Sequence, residues 1–403
     1  MHSQLHADLA THPEALEAET ILRRCVHCGF CNATCPSYQL LGDELDGPRG
    51  RIYLLKQLLE SNVASEQTRM HLDRCLSCRS CETTCPSGVK YGRLADIGRS
   101  ILEDQLPRSL PQKALRLGLL QVLPYAKRFK ALLVIGQWLR PLLPSALKHK
   151  IPPRQSHSAR PEPRHLRKIL LLDGCVQEGL APQINAATAR VLNRLGISLV
   201  SASNAGCCGA INHHLGDAGG GLHLMKQQID AAWPHIESGI EAILMTASGC
   251  VSVLKEYSVF LQHDPDYADK ALQFSALCLD LSQILSREDL SALSISPRTI
   301  AFQSPCSLQH GQQLGGVVEA LLQKLGFTLT AVGDTHLCCG SAGTYSILQP
   351  ELANRLRMQK LTALEQGQPE LIATANIGCL MHLQERAGVP VCHWVELLDH
   401  GTR

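Results

Sequence analysis

Cys25-Val-His-Cys28-Gly-Phe-Cys31-Asn-Ala-Thr-Cys35-Pro36 recurs fifty positions later as Cys75-Leu-Ser-Cys78-Arg-Ser-Cys81-Glu-Thr-Thr-Cys85-Pro86. Both copies read C-x2-C-x2-C-x3-C-P. Three cysteines at every third position of a tight loop present their thiolates to one point, which suits three corners of an iron-sulfur cube, and the fourth, just before a proline, is turned away from them. Zinc is the simpler alternative. Its tetrahedral sites are typically built from two separated C-x2-C pairs, and a doubled run of four cysteines ending in proline fits that poorly.

In bacterial two-cluster ferredoxins with this run, the fourth cysteine ligates the other cluster. The expectation is therefore one 4Fe-4S cluster on Cys25, Cys28, Cys31 and Cys85, and a second on Cys75, Cys78, Cys81 and Cys35. Gly29 and Ser87-Gly88 stand where backbone must come close to a cluster and where amide groups could bond its sulfur, raising the reduction potential.

A chain of 403 residues is too long for these runs alone and should hold two or three compact units. Hydrophobic content of 45% with a net charge of +2 describes an ordinary globular protein, and 4% aromatic residues offer no stacking platform for nucleic acid. Eighteen cysteines would fit disulfides in a secreted protein, but the first twenty residues carry four acidic side chains and no apolar signal core. The expected compartment is reducing, with thiols serving as ligands or core residues. The best candidate for a bilayer span, Ala131 to Leu147, is broken by Gln137, Arg140 and two prolines, so no transmembrane segment is expected.

Residues 14 to 24 and Gly50 to Leu59 have helical periodicity, making the first hundred residues helices and cysteine loops. From Gln105 to Arg160 there is no acidic residue, whereas Arg108, Lys113, Arg116, Lys127, Arg128, Lys130, Arg140, Lys148, Lys150, Arg154 and Arg160 are basic. Leucines interleaved with these cations predict either basic amphipathic helices lying on an anionic membrane or acidic partner, or linker helices packed on their own domains. Pro152-Pro153 and the Ser-, Pro- and Arg-rich segment Gln155 to Pro163 mark a linker.

Beyond it the pattern changes class: strands at Lys168 to Leu172, Ile197 to Ser201 and Ala242 to Thr246, with a helix at Pro182 to Leu195, imply parallel α/β units. Cys175, Cys207-Cys208-Gly209 and Cys250 follow successive strands. Cys306, Cys338-Cys339-Gly340 and Cys379 repeat them at offsets of 131, 131 and 129 residues, so two copies of one unit are expected with a boundary near Ser286 to Arg298. A parallel sheet would gather these eight cysteines at its carboxyl edge, where open α/β sheets hold ligands, and metal ligation explains an adjacent cysteine pair better than packing does. Cys278 and Cys392 lack counterparts and are expected in the core. His27, His213, His214 and His310 lie near cysteines without ligand spacing and are expected to hydrogen-bond. No glycine-rich dinucleotide loop follows a strand, since Gly219-Gly220-Gly221 lies between helical stretches.

The whole is α+β and multidomain: a helical two-cluster ferredoxin domain over 1–104, a basic helical linker over 105–165, and tandem α/β Cys-Cys-Gly units over 166–290 and 298–403. Through Leu41-Gly-Asp-Glu-Leu-Asp-Gly-Pro-Arg-Gly-Arg, Ala205-Gly-Cys-Cys-Gly, Thr246-Ala-Ser-Gly-Cys, His336-Leu-Cys-Cys-Gly-Ser-Ala-Gly-Thr-Tyr and Thr374-Ala-Asn-Ile-Gly-Cys, it resembles the Cys-Cys-Gly domain oxidoreductase subunits. That family serves heterodisulfide reductase and the glycerol-3-phosphate-, lactate- and glycolate-oxidising complexes. The resemblance implies a peripheral complex on the cytoplasmic side of the inner membrane. In it, separate FAD-containing subunits of a glycolate dehydrogenase form glyoxylate, and this chain carries electrons toward a quinone or other membrane acceptor. Family members with noncubane clusters place a further cysteine three residues after the last one of a unit; here Val253 and His382 stand there, leaving open for the second half a further cluster, a metal site that itself reduces a disulfide or quinone, zinc or a metal-free scaffold.

Overall fold

The computed structural model describes residues 1–142, 144, 151–155, 159–202 and 204–399. Lys148 and Lys150 of the basic run, residues 156–158 of the linker and the last four residues of the second unit lie outside the described residues.

The amino-terminal part is a cluster of helices. Proline at its first turn and apolar residues at helical spacing make α1 (Pro13–Arg24), which buries Ala15, Ala18, Ile21 and Leu22. The inter-run segment forms α2 (Pro48–Ser61), ending on Asn62 in the left-handed region at φ 53°. Then come α3 (Glu66–Asp73), capped by the Ser65 hydroxyl, and α4 (Tyr91–Gln105). Leu22, Leu55, Leu72 and Leu94 meet in one core, each side chain contributing roughly 2 kcal/mol by leaving water.

Two helices follow, α5 (Leu110–Val122) and α6 (Ala126–Leu139), and neither buries a single residue. They are covered on one side only, where Phe129 and Leu133 rest on Gly179 of the first Cys-Cys-Gly unit and Arg116 donates to the Leu215 carbonyl at 3.5 Å. Leu117, Leu132, Ile135 and Trp138 are exposed, the last by 82%. Arg108 and Arg116 are neutralised by Asp73 and Glu103, whereas Lys113, Lys127 and Lys130 face solvent.

The remainder is built on two parallel four-stranded sheets. The first has the order β2-β1-β3-β4, from β1 (Arg167–Leu171), β2 (Ile197–Ser201), β3 (Ala242–Leu244) and β4 (Cys278–Leu279). Its repeat has the order β6-β5-β7-β8, from β5 (Thr299–Gln303), β6 (Thr328–Leu329), β7 (Leu371–Thr374) and β8 (Val391–His393). Ile169, Leu170 and Leu171 are all buried, as a strand covered on both faces requires. Helices α7 (Pro182–Arg194), α8 (Ala210–His214), α9 (Ala218–Glu237) and α10 (Ser248–Leu254) belong to the first unit; α11 (Pro350–Glu365) and α12 (Ile377–Gln384) are in the second. Gly219-Gly220-Gly221 lies inside the first turn of α9, whose N-cap is Asp217, rather than between helices.

In each unit the chain leaves the first strand toward one neighbour and returns on the other side, so the strand order reverses beside β1 and beside β5. Such a switch point opens a crevice at the carboxyl edge. The two edges face each other: Ser248 N–H donates to the Ala375 carbonyl at 3.1 Å, Gly249 N–H to Asn376 Oδ1 at 3.2 Å, and His393 Nε2–H to the Thr246 carbonyl at 3.1 Å.

Candidate metal centres

Each doubled run folds into the same loop. His27 and Gly29 in the first copy, and Ser77 and Arg79 in the second, all have positive φ (58°, 85°, 52° and 62°). A one-turn helix then carries the third cysteine of each run, Phe30–Ala33 and Ser80–Thr83. The two copies lie against each other. Thr34 donates to the Ser80 carbonyl at 3.3 Å, and the Thr34 and Thr84 hydroxyls are 3.1 Å apart. This contact sends each chain past its partner loop, so that Cys85 lines a hollow with Cys25, Cys28 and Cys31. Cys35 lines another with Cys75, Cys78 and Cys81, and Cys81 also touches the edge of the first.

Backbone N–H groups point at the sulfurs, from His27 to Cys25, from Ser80 to Cys78 and from Ser77 to Cys75 at 3.4 Å. The electrostatic surroundings differ. Burial with neighbouring thiols pushes Cys31 up to about 11, and burial raises Cys25, Cys78 and Cys81. Burial would raise Cys75 as well, but the Arg51 and Arg99 guanidinium groups outweigh it and its thiol is lowered. Arg51, 1% exposed, approaches Cys35 Sγ at 3.9 Å, donates to Ser37 Oγ at 3.0 Å and meets Asp46, which is also held by His71 at 2.9 Å and Arg74 at 2.8 Å. Nothing in the cysteine spacing announces these arginines; they reach the site from α2 and α4.

In the first Cys-Cys-Gly unit, Cys207 is in hydrogen-bonding contact with Cys175 and Cys208, and Cys208 with Cys250. Contacts with other thiols, then burial, raise Cys207 and Cys250 and leave Cys208 lowered as the favoured thiolate. In the second, Cys306 Sγ lies 3.8 Å from Cys338 Sγ, and Cys339 contacts Cys338 and Cys379. Gly209 and Gly340 adopt φ of 84° and 91° beside backbone carbonyls that would leave a side chain at either no room. Cys250 and Cys379 differ from expectation, since each sits in the first turn of a helix rather than a loop. All eight cysteines, together with Cys78, line one cavity of about 1610 Å³ between the helical part and the two units.

These donors fit iron-sulfur ligation: soft thiols with amide N–H groups aimed at sulfur. Among the described residues the one trio of potential ligand atoms within 4.8 Å of one another is Asp43, Asp46 and His71, and no cysteine set is drawn so tight.

The histidines divide. His310 bonds Thr83 Oγ1 and the His336 carbonyl at 2.9 Å each, and His382 Nε2–H donates to the Ala353 carbonyl at 3.2 Å. Among the described residues, Nε2 of His27, Nε2 of His213 and Nδ1 of His214 have no hydrogen-bond partner. Cys278 is buried and donates to the Phe274 carbonyl at 3.2 Å; Cys392 is half-buried in β8.

Residues 21–89 match the family model of a 4Fe-4S dicluster domain, and 169–255 and 300–384 match that of a cysteine-rich domain. The chain is 55% identical to the glycolate oxidase iron-sulfur subunit of Escherichia coli (strain K12), covering 99% of this chain and 98% of that one. A Bacillus subtilis (strain 168) protein named "Probable glycolate oxidase iron-sulfur subunit" is 30% identical over 94% of this chain and 93% of its own. A solved structure of a hypothetical protein from Helicobacter pylori shares the fold, with a TM-score of 0.54 at 10% identity over 98% of this chain and 74% of that one.

Proposed function

The chain belongs to the family of glycolate oxidase iron-sulfur subunits, and from that premise we propose that it is the electron-carrying subunit of a flavin-linked glycolate dehydrogenase. Glycolate loses two electrons and two protons in becoming glyoxylate, chemistry that belongs to a partner with FAD. When bound, 4Fe-4S clusters accept and release electrons singly. In this reading Cys25, Cys28, Cys31 and Cys85 hold one cluster, and Cys75, Cys78, Cys81 and Cys35 hold the other. The observation that carries it is the exchange of fourth cysteines between the two hollows. Cys175, Cys207, Cys208 and Cys250, and likewise Cys306, Cys338, Cys339 and Cys379, form candidate further sites, supported by the thiol contacts within each set.

The first loop is where the partner docks, because Val26 and Phe30 beside the exposed Cys28 are 67% and 61% exposed. The division into 1–104, 105–165, 166–290 and 298–403 is part of the same proposal, as is peripheral attachment through α5 and α6 to an anionic membrane. No helix among the described residues is long and apolar enough to cross one. The test is anaerobic mixing of the chain with its flavoprotein partner and glycolate, followed by EPR. Reduced-cluster signals are expected, and Phe30→Asp should keep the dithionite-reduced signals while slowing the glycolate-driven ones. Signals that glycolate never elicits would overturn the reading.

A further inference from the structure

We propose that electrons leave the inner ferredoxin set for the second Cys-Cys-Gly unit and reach the first unit only through it, with buried Lys360 drawing them onto the second and Asn376 joining the two. The proposal rests on the electron-carrying reading above and orders the four cysteine sets that it leaves side by side.

Thiols of the helical part meet thiols of the second unit. Cys78 of the inner set and Cys306 both pack against one apolar cluster that includes Leu76, Cys338, Tyr345 and Leu356. Burial is the main cause raising Cys78, and the Cys306 thiol is the next. The chain path secures this meeting. Directly after Cys306 comes one turn of π-helix, Ser307–Gly311, a form that often marks functional sites. It delivers His310 to Thr83, between Cys81 and Cys85, at 2.9 Å. The first unit meets the helical part through other chemistry: Arg79 pairs with Glu256, and His214 Nδ1 lies 3.7 Å from Asp96 Oδ1.

From the second unit the way leads on to the first. Cys339 and Cys379 lie in a core that both sheets share, Cys175, Cys207 and Cys208 lie in another core of the first unit, and Cys250 packs against both. Asn376, the N-cap of α12, spans the same gap. Its Nδ2–H donates to Cys379 Sγ at 3.6 Å, while its Oδ1 accepts the Gly249 N–H, next to Cys250, at 3.2 Å. The N-cap of α10 in the first unit is Ala247, whose side chain can make neither bond.

Charge separates the two units. Each sends a buried side chain from the helix behind its cysteine pair to the loop ahead of that pair. In the second unit this is Lys360 of α11, 4% exposed, donating to the Asp334 and Thr335 carbonyls at 2.9 and 3.2 Å. In the first it is Gln228 of α9, donating to the Gly206 carbonyl at 2.6 Å. Burial disfavours the Lys360 charge, and Cys339, Cys338, Cys379 and Cys306, in that order, favour it. Both of those carbonyls are neutral, so the ammonium is stabilised further when negative charge arrives beside it. Net charge and hydrogen bonds to sulfur are what set the potential of a thiolate-held cluster. Electrons therefore collect at the second unit, and the first draws on it. In each passage one electron leaves one set and enters the next, oxidising the donor and reducing the acceptor by one, with no bond made or broken. Two such passages clear the pair released by one glycolate.

The full chain with its flavoprotein partner is purified anaerobically, its iron is counted, and it is titrated with dithionite under EPR. Signals of the two units are assigned with Cys175→Ser and Cys306→Ser. Lys360→Gln should make electron arrival at the second unit about tenfold less favourable, lowering its midpoint by about 59 mV and leaving that of the first unit in place. Lys360→Arg should restore the midpoint, and Gln228→Lys should raise that of the first unit instead. Freeze-quenching after glycolate should show the second unit's signal before the first's, and Asn376→Ala should delay the first alone. In the unaltered protein, pulsed EPR should find the reduced inner set coupled more strongly to the second unit than to the first, a readout that needs no variant to fold. Failure of glycolate to reduce the chain tells against the dehydrogenase reading alone, since dithionite and pulsed EPR still report on Lys360 and on the order. The proposal is overturned by an iron count of about eight per chain, which two cubanes exhaust. Equal midpoint shifts at both units in Lys360→Gln, or a first-unit signal that precedes the second's, overturn it as well.

Discussion

The two cysteine runs share a loop but not an environment. Residues fifty positions apart occupy equivalent places, and Val26 is 67% exposed where Leu76 is 5%; Phe30 is 61% exposed where Ser80 is fully buried. The cause is the second Cys-Cys-Gly unit. Leu76 packs with Cys338, Tyr345 and Leu356, the Tyr345 hydroxyl donates to the Arg74 carbonyl at 3.3 Å, and His310 holds Thr83. Charge separates them too, with Arg51 and Arg99 pressed against the second set. One motif, used twice, thereby acquires a face turned to solvent and a face turned inward to the large cavity. Direction follows from what covers each copy.

This contrast can be broken or sharpened by experiment. The largest effect is expected from Asp46→Ala, which strands Arg51 and His71 in the interior behind Cys35 without their counter-charge. A loss of roughly 3–5 kcal/mol is expected in chemical unfolding of the anaerobic protein. A loss below about 1 kcal/mol would mean that the buried network does not support the second run. Next comes Arg99→Gln. Removing a buried positive charge beside Cys75 should disfavour the added electron by roughly 1–2 kcal/mol, on the order of 50 mV for a one-electron couple. EPR-monitored redox titration should show the inner set falling toward the outer one, and equal shifts of both would erase the electrostatic distinction. The smallest effect is at Gly29→Ala. A Cβ there meets the mobile end of Arg49, which can move aside, so the cost is mainly that of a positive φ, about 1 kcal/mol. Thermal unfolding checks it, and an unchanged midpoint would show that the outer loop tolerates strain as Arg79 does in the inner one.

Ligand chemistry was legible because it is local. Spacing within Cys25 to Cys35 is enough to mark an iron-sulfur loop, and Lys168 to Leu172 is apolar enough to declare a buried strand. The 131-residue repeat disclosed two sheets with one topology, since equal cysteine offsets require equal elements between them. What lay beyond reach depends on tertiary neighbours. Arg51 reads as one more residue on an amphipathic helix, and only the fold turns it toward Cys35. Asp96 and His214 are more than a hundred positions apart. The strand expected over Ala242 to Thr246 is shorter because α10 begins at Ser248, and for the same reason Cys250 sits on a helix. Leucine spacing in α5 and α6 resembles that of a packed helix, and no property of those residues alone reveals that only one side, through Phe129 and Leu133, finds a neighbour.

The central claim is that the two runs exchange their fourth cysteines, and EPR of anaerobically reconstituted Cys35→Ser and Cys85→Ser tests it most directly. The account predicts that Cys35→Ser removes or alters the signal of the inner, Arg99-sensitive set while sparing the outer one, with the reverse for Cys85→Ser. A Cys35→Ser protein that keeps the inner signal and loses the outer would contradict it.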